Sequence, residues 1–526
     1  MDLKIENLKQ IESLGIACPK YDVLKCHNDT INEPIWLHFG AGNIFRGFIA
    51  RLQNDLLNKG LATKGIIALE TFDEEIISDI YNKNDSLTLL ASLSPTSTDY
   101  SVIASIAKGM YVDLNNDQTY QILKDLISKK SLQMISFTIT EKGYNLYKMD
   151  GTFLDAVNDD FKNGPYSPKN TMAIVSSLLW LRFNNGAYPL AVVSMDNCSQ
   201  NGEKLQKAIL TICNKWYENG FVSKEFIEYL NDENKITFPW TMIDKITPRP
   251  ALSISEDLSK LGFTNIAPIT TTKHTFIAPF VNAEVSEYLV IEDKFPNGRP
   301  ALENAHVYFT DRKTVNVVET MKVTTCLNPL HTALAVYGCM LNYETIALEM
   351  TNKGLSNLVK GIAKEGMRVV VDPKIISPVD FVNDVINVRL PNKAIPDTPA
   401  RIATDTSLKI PVRYGETIKA IAKKGELESL IYIPIAIAGW LRYLLGLDDE
   451  LKPFNCSSDP ELLHLQDILK NVKETLTYNN ELDLILNNAQ LFGMSLIDTP
   501  LYSKIVTHFK AMLQKNGVSS LINNLS

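Results

Sequence analysis

In the first half of the chain, apolar residues come in short uninterrupted runs. "IWLHF" at 35–39, "GIIALE" at 65–70, "LQMISFTIT" at 132–140 and "YPLAVVSMD" at 188–196 are strand-length and apolar on both faces. Such runs predict buried strands of a parallel sheet, because a strand covered on one face alone alternates. Between them the period changes. Phe48, Leu52 and Leu56 fall on one side of a helix following the first run, and residues 118–129 and 170–184 also read helical. Recurring strand–helix–strand units predict a sheet with helices on both faces.

After about residue 285 the pattern becomes helical almost throughout, in segments 330–349, 353–366, 415–425, 427–446, 459–476, 480–490 and 500–515. The turn-forming "VIEDKFPNGRP" at 290–300 marks the change. The expected fold is α/β plus α: a helix-and-turn N-terminal extension over 1–34, an α/β domain over 35–290 and a mainly helical C-terminal domain over 291–526. The most apolar run, "IYIPIAIAGWLRYLLGL" at 431–447, contains Arg442 and is short for a membrane span, so it reads as a buried helix.

Composition narrows the function. A chain of 526 residues, 45% apolar and 21% charged, is globular and large enough for two domains. Its net charge of −8 argues against nucleic acid or an anionic membrane as partner, while a local cationic pocket for a small anion remains compatible. The seven cysteines, at 18, 26, 198, 213, 326, 339 and 456, form no CxxC pair and suit free thiols in a reducing cytoplasm. The opening "MDLKIENLKQIESLG" has no signal-peptide apolar region, which also points to the cytoplasm.

Two stretches carry candidate chemistry. "GAGNIFRG", at 40–47, follows the first strand and opens a helix. Gly40 and Gly42 would let the backbone approach a pyrophosphate seated at the helix N-terminus with Asn43 and Ile44, although Phe45 stands where a third glycine is usual. An ordinary tight turn is the alternative. Arg46 would add a fixed positive charge beside the phosphates. Glu70, ending the second strand, or else Asp73, would accept from the adenosine ribose hydroxyls and repel a 2′-phosphate, favouring NAD over NADP. The second stretch, "KVTTCLNPLHTAL" at 322–334, reads either as a helix start, with Asn328 as N-cap and Pro329 next, or as a catalytic cluster of Lys322, Asn328 and His331.

Further segments favour chemistry. "TITEKGY" at 138–144, "SMDNCSQNG" at 194–202, "TMIDKITP" at 241–248 and "VIEDKFPNGRP" join "HFGAGNIFRG" and "KVTTCLNPLH" in the order and approximate spacing of the polyol-specific long-chain dehydrogenases, the mannitol dehydrogenase family. The resemblance runs from about residue 35 to beyond 445 and is nearest to the fructuronate reductase branch, chiefly through "TEKGY" and "YETIA". It implies a Rossmann-type NAD-binding domain, a helical substrate and catalytic domain, an active site in the cleft between them, and hydride transfer at C2 of a sugar derivative without a metal. No His/Cys/Asp ligand cluster stands out in the sequence.

Carried over residue by residue, the resemblance implies that Lys322 exchanges the proton, Asn328 and Asn197 donate to the oxyanion, and His331 orients substrate. Thr140 and Glu141 of "TITEKGY" fall on the cofactor side, and Asp244 faces nicotinamide or a hydroxyl unless it is a turn acid. Lys245 and Lys294 are the rival proton donors, and Asn201 with Gly202 reads as a turn. A lysine working near neutral pH must titrate well below ~10.4, toward ~7–8. The family commonly spaces the lysine and the asparagine by five positions; here the step is six. At about 100° per residue, one continuous α-helix sets Lys322 and His331 on opposite sides, so a bulge or break must intervene. Arg401 and Lys409, eight apart, resemble the pair reaching the substrate's distal groups and suit a carboxylate, with a solvated helix face as the alternative. The expected function is NAD-dependent reduction of a keto-uronate, D-fructuronate to D-mannonate, by a monomer or small homo-oligomer. Mannitol 2-dehydrogenase, tagaturonate reductase, an NAD-using epimerase and a non-catalytic nucleotide sensor are the alternatives.

Overall fold

The alternation hidden inside the apolar runs decides the first unit's core. In the computed structural model, which describes residues 1–148 and 150–526, Leu37, Phe39, Ile67, Leu69, Ile135 and Phe137 pack into one buried cluster. Trp36, Ile66, Ala68, Met134, Ala191 and Val193 pack into another. Successive strand residues therefore serve opposite faces, both covered.

The sheet has six parallel strands: Trp36–Phe39, Ile66–Glu70, Ile106–Tyr111, Met134–Phe137, Leu190–Ser194 and Ile236–Thr237. Numbered along the chain, they lie in the order third, second, first, fourth, fifth, sixth. This is the doubly wound Rossmann arrangement, with its reversal between the first and fourth strands, where such sheets bind ligands at the carboxyl ends. Helices Asp117–Ser128, Thr171–Asn184 and Asn201–Glu218 cover the Leu37 face; Ala50–Asn58 covers the Trp36 face through Leu52 and Leu56.

Two small sheets were not legible in the sequence. Thr88–Leu93 pairs with Thr98–Ile103 and Phe280–Glu284, and Tyr288–Glu292 pairs with Thr241–Asp244 and Tyr308–Thr310. The latter carries the first unit past the "DKFPNGRP" turn. Residues 1–93 and 97–316 form one unit, and 94–96 with 317–526 form the other. Residues 1–34 belong to the first: Tyr21 Oη donates to Asn54 at 2.9 Å, and the His27 ring meets the Ala104 carbonyl at 2.8 Å.

The second unit is helical. Helix Asn328–Met340 is buried along most of its length, and Tyr337 donates to the Ile435 carbonyl of helix Tyr432–Tyr443 at 2.9 Å. Glu365, on helix Lys353–Met367, accepts the first N–H groups of the latter helix, Tyr432 at 2.9 Å and Ile433 at 2.8 Å. Arg442, the charge inside the most apolar run, is fully buried and donates to the carbonyls of Leu447, Asp448 and Met512. The expected helix over 330–349 is broken between Met340 and Ile346. No helix among the described residues is long and apolar enough to cross a membrane.

Candidate active site

Gly40 ends the first strand at φ +100°, and a Cβ there would lie 2.2 Å from the Thr138 carbonyl oxygen. Glycine is required because the ends of the first and fourth strands converge at the sheet's reversal. A Cβ on Gly42 would meet nothing within 4 Å, so this backbone lies open on that side. Asn43 and Ile44 begin the helix, which continues as a π-helical turn over Phe45–Ile49. Phe45 stacks on His38 at 4.0 Å between ring centres, so an aromatic pair occupies the place of the close approach that a third glycine permits. His38 contacts Ser136 Oγ and Thr138 Oγ1, and burial holds its imidazole well below its usual pKa.

Arg46 requires a correction. It is 1% exposed and donates to the Ala278 carbonyl at 2.8 Å and to Asn43 Oδ1 at 3.0 Å. Walled in this way, it braces the turn through Asn43 and is not a charge open to phosphates.

Glu70 and Asp73 take different parts. Glu70 accepts from the Ala41 N–H at 2.9 Å and from the Phe72 and Asp73 N–H groups at 2.8 and 3.3 Å. It thus ties the second strand's end to the glycine turn, and a carboxylate with about four acceptor sites retains one for a hydroxyl. Asp73 is 1% exposed, caps helix Glu74–Ile76 and accepts from Thr271 Oγ1 at 2.7 Å. It is a structural cap, which removes it as the ribose partner.

At the fourth strand's end, the N–H groups of Ile139 and Thr140 donate to Asp196 at 2.9 and 2.8 Å, and Tyr144 Oη donates to the same carboxylate at 2.5 Å. This clamp holds Thr140 at φ +64°, a strained value for a β-branched residue. Sequence reading missed Asp196, although it stands inside "SMDNCSQNG". Glu141 is exposed and paired with Lys204. Asn197 is exposed just after the clamp, and Asp244 is buried at the end of its strand, opposite Tyr288. Asn201, expected in a turn, instead opens helix Asn201–Glu218 and bonds Thr241 and the Asp196 carbonyl. The rival lysines are engaged: Lys245 pairs with Glu287 at 2.8 Å, and Lys294 with Glu233 at 2.9 Å.

In the second unit, the interruption demanded by the Lys322–Asn328 spacing is present. Lys322–Cys326 forms a π-helical turn closed by the Leu327 N–H on the Lys322 carbonyl at 3.1 Å, and helix Asn328–Met340 then starts afresh. A π turn holds one residue more than an α turn, so the extra residue is taken up locally. Lys322 is buried at 3% exposure. Asn328 is not the N-cap: Leu327 holds that position, and the Asn328 amide has no hydrogen-bond partner among the described residues.

One turn on, His331 Nε2 lies 3.1 Å from Asp397 Oδ2. The other Asp397 oxygen accepts from Arg401 Nε at 2.7 Å and Nη2 at 2.5 Å. Burial pushes the Asp397 carboxyl up, but His331 and Arg401 outweigh it and leave the group below the ordinary carboxylate value. Burial pushes the His331 imidazole down, with Asp397 pulling against it. A neutral imidazole with Nε2–H turned to a carboxylate leaves Nδ1 as an acceptor. Lys409 donates to the carbonyls of Ile402 and Thr404. Arg413, unmarked by the sequence, is largely buried and donates to Thr332 Oγ1 beside His331. Glu349 is fully buried, and neither carboxyl oxygen has a hydrogen-bond partner among the described residues.

Comparisons with known proteins agree with this fold. The profile "Mannitol dehydrogenase Rossmann domain" matches residues 34–304, and "Mannitol dehydrogenase C-terminal domain" matches 314–513. The chain is 46% identical over 509 residues to a "D-mannonate oxidoreductase" of Thermotoga maritima, covering 95% of this chain and 94% of that one. Among solved structures, a Pseudomonas fluorescens mannitol 2-dehydrogenase in ternary complex with NAD and D-mannitol is 25% identical, with a TM-score of 0.71 over 100% of this chain and 99% of that one. A D-sorbitol dehydrogenase shares the fold at 23% identity, with a TM-score of 0.81 over 99% and 100%. Two matched domains and a relative this similar along nearly the whole chain establish that the protein belongs to the mannitol dehydrogenase family, oxidoreductases that act on CH–OH groups.

Proposed function

We propose that the protein is an NAD-dependent reductase of a keto-uronate, converting D-fructuronate to D-mannonate. The observation that carries this reading is the second unit's polar cluster, in which a partnerless Asn328 amide and a carboxylate-held His331 share a helix flanked by Arg401, Lys409 and Arg413. Three cations, of which Arg401 is paired with Asp397 and Lys409 has Asp405 and Asp459 nearby, suit an anionic sugar. The name of the Thermotoga relative supports the same substrate.

The first unit fits a dinucleotide. The open backbone at Gly42, the helix starting at Asn43, the free acceptor capacity of Glu70 and the strained Thr140 lie at or near the sheet's carboxyl edge. When bound, the nicotinamide supplies the hydride that reduces the ketone. The chain's own residues do the rest. Lys322 delivers a proton to the carbonyl oxygen as negative charge develops there. In the second unit Asn328 donates its amide hydrogen to that oxygen, His331 accepts from a neighbouring hydroxyl through Nδ1, and Arg401 and Lys409 hold the remaining groups. For Asn197 and Asp244 of the first unit, an oxyanion donor and a hydroxyl or nicotinamide contact are the roles the family resemblance implies. The seven cysteines, all free thiols, support a cytoplasmic setting.

The test is a coupled product analysis. Fructuronate with NADH should yield mannonate and NAD in equal amounts. Turnover of the sugar without net NADH consumption would replace the reading with an epimerase.

A further inference from the structure

Arg413 sits on a π-helical turn, Pro411–Gly415, whose neighbouring residue Tyr414 donates to the Pro329 carbonyl at 2.8 Å. That bond and the Arg413–Thr332 bond fasten the turn to the first part of the helix carrying Asn328 and His331. A guanidinium placed there normally meets a carboxylate, because a buried unpaired cation is costly. Here none does: among the described residues, Thr332 is the only hydrogen-bond partner of Arg413 and no acidic side chain pairs with it. The adjacent acid, Asp397, is already shared between His331 and Arg401. Its charge acts on Lys409 and on His331, as does that of Arg401, while Asp405 and Asp459 act on Lys409 and Asp397 acts on His331. Burial also pushes its guanidinium down to about 10, the mark of a cation that the fold itself leaves poorly compensated. Arg401, by contrast, is largely exposed with its fork on Asp397, and Lys409 is tied to backbone carbonyls.

From this we infer that Arg413 is the specificity-determining anchor for the substrate's carboxylate. The inference rests on the keto-uronate reading above. A planar guanidinium gives a carboxylate two parallel hydrogen bonds, and the anion completes the charge balance that the folded chain leaves open. Arg413 then selects acid over neutral sugars, while Lys322, Asn328 and His331 act on the reacting end of either.

The experiment compares D-fructuronate and D-fructose on wild type, Arg413→Gln, Arg413→Lys and Arg401→Gln, with NADH saturating and the melting temperature of each variant recorded. Arg413→Gln should raise KM for fructuronate ~10–150-fold, the size of a charge-assisted hydrogen bond, and lower the fructuronate-to-fructose ratio of kcat/KM by a similar factor. Arg413→Lys should recover part of the loss, and Arg401→Gln should change the acid-to-neutral ratio less. A purely structural Arg413 would lower the melting temperature and depress both substrates alike, which overturns the anchor. Wild type that reduces fructuronate while Arg413→Gln keeps its acid-to-neutral ratio also overturns the anchor but spares the keto-uronate reading. Wild type inactive on fructuronate overturns both.

Discussion

His331 presents Nε2 to Asp397 at 3.1 Å, a pairing between the start of one helix and the loop before another. The carboxylate sets the imidazole's orientation and tautomer, as a partner behind a working histidine does. Asp397→Asn, which removes the charge facing His331, should therefore cut kcat/KM by ~10-fold or more. The sign of the pH effect follows from the same pair. Asp397 favours the protonated imidazole against burial, so its neutralisation moves the acid limb of the kcat/KM profile to lower pH. A limb that stays in place or moves upward would detach His331 from that limb.

Lys322→Ala should lower kcat by ~10²–10⁴-fold, the usual share of general acid–base catalysis, while NADH binding measured by fluorescence titration stays nearly intact. Residual activity above half of wild type would transfer the role to another group, despite the ion pairs that occupy Lys245 and Lys294.

Glu70→Ser should weaken the preference for NADH over NADPH, measured as the ratio of kcat/KM values. Because Glu70 also accepts the Ala41 N–H, some loss with both cofactors accompanies it. Asp73→Ser should leave the ratio unchanged, since Asp73 is a cap. A shift in the Asp73 variant alone would reverse that assignment.

Glu349 makes a prediction about stability. Burial, with Asp397 adding to it, raises its carboxyl well above the ordinary 4.5. A raised folded-state pKa means that the folded chain binds a proton which the unfolded chain releases first, so stability falls as pH rises above ~4.5 toward the folded value. Glu349→Gln should remove that loss, and its melting temperature should exceed that of wild type increasingly as pH is raised from 5 to 8. Parallel curves would show that Glu349 does not titrate across this range. Gly338→Ala, whose Cβ would lie 2.1 Å from Glu349 Oε1 and 2.8 Å from Pro399, should cost ~1–3 kcal/mol by overpacking.

What the sequence showed and what it hid divide along physical lines. The sheet was legible because both-face burial writes continuous apolar runs, and Gly40 was legible because the strand ends leave no room for a Cβ. The step from Lys322 to Asn328 required a break, although nothing in "KVTTCLN" specified a π turn. Arg46 and Asp73 were misjudged because a motif gives position along the chain but not whether the neighbours leave a side chain open. Asp397 and Arg413 were silent: the first looks like an ordinary loop acid and the second like an ordinary helical charge until folding sets them beside His331 and Thr332.

Keto-uronate reduction is measured by kcat/KM of the wild-type protein for D-fructuronate, D-tagaturonate and D-fructose, each with NADH and with NADPH. The cationic surroundings of His331 and the acceptor at Glu70 predict the highest value for fructuronate with NADH and a far lower one for neutral fructose. Efficient reduction of fructose with fructuronate untouched would contradict the account and leave a mannitol dehydrogenase.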